Sequence, residues 1–162
     1  MLVGAEREAF LADGHRRKVT HEAGHAVTAV ARGGSVQAFV VPFDDFRSGI
    51  DEVGEPYVTS FIEPWHRPFV TYAGLWATAR YWVFTGEMDD LAEAIDFVTD
   101  EYAGPGHDIT KLQAAGIDPK AAPAEWDAEL ELLWPAMQRV AEQYIKTGGI
   151  DDATIARLVE DC

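Results

Sequence analysis

Cysteine is nearly missing from this chain: the one residue, Cys162, is the last, so no internal disulfide can form and a reducing, cytoplasmic setting is expected. Basic side chains are scarce too, 13 Lys and Arg against 28 Asp and Glu, for a formal net charge of −15. An acidic chain repels phosphate backbones and anionic lipid, so neither nucleic acid nor a membrane is an expected partner. No long apolar run is present either. The most apolar stretch, 69–86, is interrupted by Arg80, and residues 1–12 carry charges where a secretory signal would need an apolar core. A G-x-x-x-x-G-K-[ST] phosphate loop is absent, so ATP is not expected to bind. The chain has no internal repeat and no low-complexity segment.

What is present describes one globular domain over residues 1–162, with 48% apolar residues and five Trp. The acidic excess is uneven, −2 over residues 1–86 and −13 over 87–162, and reads as a solubilising face. Hydrophobic spacing predicts a helix opening near Asp13-Gly14, with Asp13 as cap, and ending at Gly33-Gly34. Two short strands follow, Ser35 to Val41 and Tyr57 to Ile62, flanking an acidic loop from Phe43 to Pro56. They are expected to pair beside the first helix, where an uncovered edge would let an extended peptide add as a further strand. Phe69 to Phe84 reads as the central core helix, with Val70, Ala73, Ala77, Tyr81 and Phe84 in contact positions. Asp89 to Tyr102 is a further helix, with Leu91, Ile95, Val98 and Tyr102 inward. A short helix opens at His107-Asp108, and Pro123 to Lys146 is a long amphipathic helix that Pro135 can kink. Asp151-Asp152 can cap a last one.

The first helix carries the chemistry. His21-Glu22-Ala23-Gly24-His25 is an H-E-x-x-H run. Side chains four apart on a helix share a face, so both imidazoles can hold one metal ion, while Glu22 is placed to take a proton from water. Gly24 in mid-helix costs about 1 kcal/mol of helix propensity relative to Ala, which points to a packing reason for it. Outside this run, His66 and His107 are candidates for stabilising a developing oxyanion, and His15 reads as a core or solvated residue.

With these pieces placed, the chain resembles the protease domain of the FtsH-type zinc metalloproteases, in particular small stand-alone relatives without the ATPase. The residues carrying the resemblance are His21 to Val27, the strand at 36–42 ending in Pro, Tyr72-Ala73-Gly74 with Ala77, Gly104-x-x-x-Asp108, and Gly-Gly-Ile-Asp-Asp between the last two helices. Together they cover about residues 15–160. The resemblance implies an α+β, mainly helical fold: a zincin-like helical domain with a small β-sheet beside the HExxH helix. It implies Zn2+ held by His21, His25 and Asp108, with Glu22 as general base. The implied activity is ATP-independent cleavage of unfolded or flexible polypeptide. Two departures stand out. Thr78 and Ala79 occupy positions where the family carries two glutamates, and an extra helix's worth of chain separates Gly86 from Asp108, which makes Asp90 a rival third ligand. The alternative reading is a catalytically idle, protease-like binding or regulatory protein that keeps the zinc site.

Overall fold

The computed structural model describes residues 4–43, 55–101 and 108–162, and is mainly helical, with one small antiparallel sheet. Helix α1 spans Ala5–Ala31, two turns more than the sequence pattern predicts. Ala5 to Ala12 are nearly all good helix formers, and they carry the helix through the Asp13-Gly14 turn signal. Asp13 is therefore not a cap. Its carboxylate accepts a hydrogen bond from the Tyr81 hydroxyl at 2.6 Å, which fastens α1 to the helix behind it.

That helix, α2 (Arg67–Phe84), is the centre of the molecule, and every residue from Phe69 to Ala79 is buried. Its contact with α1 rests on small residues. A Cβ at Gly24 would lie 2.5 Å from the Ala73 carbonyl oxygen and 2.9 Å from the Ala77 methyl, so glycine is what lets the two backbones approach. Phe84, expected to face inward, is instead 61% exposed at the helix end, with its ring edge-on to Trp134.

Strands β1 (Ser35–Val40) and β2 (Tyr57–Phe61) pair antiparallel, Ser35 opposite Phe61, with a bulge between Val36 and Ala38. Gly34 lets the strand leave α1 closely, since a Cβ there would run into the Phe61 carbonyl and Ile62. The two edges of this sheet differ. Along β1, the Val36 amide donates to Asp152 at 2.7 Å, and just beyond its end the Val41 amide donates to the Tyr144 hydroxyl at 2.8 Å. Among the described residues no strand pairs with the far edge of β2. Most of the predicted 43–56 loop lies outside the described residues, as do Tyr102, Gly104 and His107.

The remaining helices are α3 (Leu91–Glu101), α4 (Asp108–Ala114), α5 (Ala124–Thr147) and α6 (Asp152–Glu160). In α3, Ala94, Ile95 and Val98 are buried and Asp96 and Asp100 face solvent. Helix α5 continues through Pro135 and buries Leu130, Leu133, Met137, Val140 and Tyr144 along one stripe, while Trp126, expected on the same stripe, is only partly buried. Gly148 ends it at φ 79°, and the Asp151 carboxylate caps α6 by accepting from the Thr154 amide at 2.8 Å. Among the described residues, no helix is long and apolar enough to cross a membrane.

Candidate metal centre

His21 and His25 lie one turn apart on the inner face of α1, their rings 4.9 Å apart between centroids and nearly perpendicular. Beneath them, α2 carries Gly74, whose missing side chain leaves the space the imidazoles occupy. Above them, the first residue of α4 brings in Asp108, with Oδ2 at 2.8 Å from His21 Nε2 and 3.1 Å from His25 Nε2. Leu112, one turn further on and fully buried, anchors α4 to the core and so sets where that carboxylate points. Glu22 is 6% exposed, and its carboxylate and the two imidazoles lie with their ligand atoms within 4.8 Å of one another. This group could hold a metal ion. Among the described residues nothing hydrogen-bonds the Glu22 carboxylate, so its oxygens remain available to water.

The tautomers follow from the partners behind the rings. His25 Nδ1 is 2.7 Å from the Val70 carbonyl, which can only accept, so Nδ1 carries a proton. The other nitrogen then faces Asp108 with a lone pair unless a second proton or a cation comes between them. Burial alone would lower the His25 pKa. The Asp108 carboxylate and its hydrogen bond, helped by Glu22 and the Val70 carbonyl, outweigh burial and raise it to about 9. Burial would likewise raise Asp108, but the two imidazoles hold it well below the usual carboxylate range. Without metal, His25 is thus an imidazolium at pH 7. That pairing stabilises the metal-free chain fully below the unfolded His pKa of about 6.5, and the contribution is lost as pH rises through about 9. A divalent cation held by the imidazoles would compete with that proton for the same nitrogen, so metal binding and His25 protonation would oppose each other.

His21 is oriented by Thr78. Its Nδ1 lies 2.8 Å from the Thr78 hydroxyl, itself 3.2 Å from the Gly74 carbonyl; with a cation at Nε2, Nδ1–H would donate to that hydroxyl and the hydroxyl onward to the carbonyl. That leaves Nε2 open toward Asp108, the arrangement metal-binding histidines use to fix ring angle and basicity. Thr78, which the sequence marks only as a missing glutamate, therefore has a partner at the centre. Thr78→Val is expected to keep the fold and weaken binding of a divalent metal about tenfold or more, read by competition with a chelating dye. Unchanged affinity would show that the hydroxyl does not orient His21.

The rival and the auxiliary residues go elsewhere. Asp90 caps α3 by accepting from the Ala92 amide at 2.9 Å and does not line the cleft. His66 accepts from the Arg32 guanidinium at 3.0 Å through Nδ1 and is likewise off the cleft, so the described geometry gives it no place beside a reacting carbonyl. His15 packs against Phe43 and Tyr144, its pKa lowered by burial, in agreement with a core reading. The sequence did not point to the cleft itself. It is a volume of about 820 Å³ over the centre, walled by Lys18, Leu75, Val98, Ile109 and Lys111 and, on the β2 side, by Glu55 to Val58, Ser60 and Arg67. No family model, curated protein or solved structure matches this chain.

Proposed function

We propose that this chain is a zinc-dependent metalloendopeptidase, zincin-like in the placement of its sheet beside the HExxH helix, that cleaves unfolded or flexible polypeptide without ATP. The observation that carries the reading is the convergence of two oriented imidazoles and Asp108 on the floor of an open cleft, with the buried Glu22 beside them. Three protein ligands leave a position for water or substrate, the catalytic rather than the closed structural pattern. Zinc bound there would polarise a peptide carbonyl and bring the pKa of a water toward about 7. Glu22 would take the proton of the attacking water and pass it to the leaving amine. The edge of β2 that pairs with no strand among the described residues borders the same cleft and would hold a substrate extended, through its backbone, so that recognition requires an unfolded segment.

The idle-protease alternative drew its support from the missing glutamates. The Thr78 hydroxyl on His21 supplies support of another kind and favours the active reading. The test is casein cleavage by the purified chain. Cleavage is expected, accompanied by about one bound zinc per chain, abolished by a chelator and restored by zinc. A zinc-loaded, folded chain that leaves casein intact would overturn the proposal.

A further inference from the structure

We propose that the cleft prefers polypeptides that present a carboxylate beside the segment held at the centre, and that Arg67 and Lys111 set this preference. The inference rests on reading the cleft as a substrate site and adds the class of substrate. Across the chain, acidic side chains outnumber basic ones 28 to 13. The cleft departs from that balance. Lys18, Arg67 and Lys111 line it, against Glu22, Glu55 and Asp108. Glu22 and Asp108 sit at the centre, so among the described lining residues the charges left on the walls are Lys18, Arg67 and Lys111 against Glu55. Enclosure by low-dielectric walls focuses such a local excess, while the acidic surface elsewhere repels the same ligand and leaves the cleft as its point of approach.

The positions suit recognition. Lys111 stands one turn beyond Asp108 on α4, exposed at the cleft rim. Arg67, at the start of α2, donates to the Ser60 hydroxyl and to the Ser60 carbonyl, both at 3.2 Å. Ser60 is neutral, so these bonds fix the guanidinium without offsetting its charge, and three of its five N–H donors remain for a ligand. Because the Ser60 carbonyl is already taken, a peptide added along β2 meets the guanidinium at that end rather than a backbone acceptor. Lys18, one turn before His21, is engaged by another group and is not an assigned contact.

The test is binding, which does not require turnover. Fluorescence anisotropy is measured for the full chain carrying Glu22→Gln, with zinc supplied. The probes are equal-length, C-terminally amidated, unstructured peptides with Glu or Gln at alternate positions, and a Gln peptide with a free C-terminus. The Glu peptide is expected to bind about tenfold more tightly than the amidated Gln peptide at low salt. The gap should fall below about threefold when Arg67→Gln and Lys111→Gln are added together. If the free C-terminus restores tight binding to the Gln peptide, the recognised carboxylate includes the terminal one. Equal binding of all three, no binding of any, or a gap that survives the double substitution would overturn the proposal. A preference that persists while wild type fails to cut casein would sink the peptidase reading and leave this one standing.

Discussion

Glu22→Gln is expected to lower casein turnover by about 10²- to 10⁴-fold while leaving bound zinc and melting temperature near wild type. The amide has the carboxylate's size, so the buried site keeps its packing, but it cannot take a proton from water. Metal content makes the experiment decisive about roles. His21, Glu22 and His25 form a group close enough to hold an ion together, and Asp108 lies within hydrogen-bond reach of both imidazoles. If Asp108 is the third ligand, zinc stays in the variant and only rate is lost. If Glu22 were itself a ligand, zinc would leave with the substitution, and the general base would have to be another group. Undiminished cleavage by a folded, zinc-loaded variant would remove Glu22 from the chemistry altogether.

The parts of the site legible in the sequence are those set by spacing along one helix. His21 and His25 share a face because the chain between them is helical, and no tertiary information is needed for that. Gly24 was legible as an anomaly, although only the crossing with Ala73 and Ala77 shows what the missing Cβ accommodates. What depends on distant contacts was not legible. Asp13-Gly14 looks like a helix start because local turn chemistry is all a sequence displays, whereas the Tyr81 hydroxyl uses Asp13 from inside the helix. Asp90 and Asp108 both stand at helix starts. Helix pattern alone leaves the two equivalent; the resemblance names Asp108, and α4, anchored by the buried Leu112, is the helix that brings its first carboxylate to the imidazoles. Thr78 reads as a loss when measured against glutamate, while its hydroxyl, one turn from Gly74 on α2, lies 2.8 Å from His21 Nδ1. The cationic walls were hidden for another reason. Lys18, Arg67 and Lys111 belong to three helices, and an acidic chain gives no cue that three of its few cations meet.

Gly74→Ala is expected to cost more at the metal centre than any other single methyl added to the chain. A Cβ at Gly74 would lie 2.8 Å from His21 Nε2 and would run into both Cε1 and Nε2 of His25, inside van der Waals contact. Neither ring can simply swing away, because the Val70 carbonyl holds one and Thr78 the other. Nor can α2 back off as a body, since Gly24 locks it against α1 through Ala73 and Ala77. The strain should therefore divide between a fold weakened by about 1–3 kcal/mol and imidazoles displaced from Asp108. A drop in melting temperature of roughly 3–10 °C corresponds to that range for a chain of this size. Zinc affinity should fall about 100-fold or more, as when oriented ligands lose their support. The matching control is Gly14→Ala, also within α1, where an added Cβ meets nothing within 4 Å. That change should raise stability by about 0.4–1 kcal/mol through helix propensity and leave zinc affinity unaltered. Equal zinc affinity in Gly74→Ala and Gly14→Ala would mean that the metal does not sit where the two Nε2 atoms and Asp108 converge, and the ligand set would have to be drawn from other residues of the cleft.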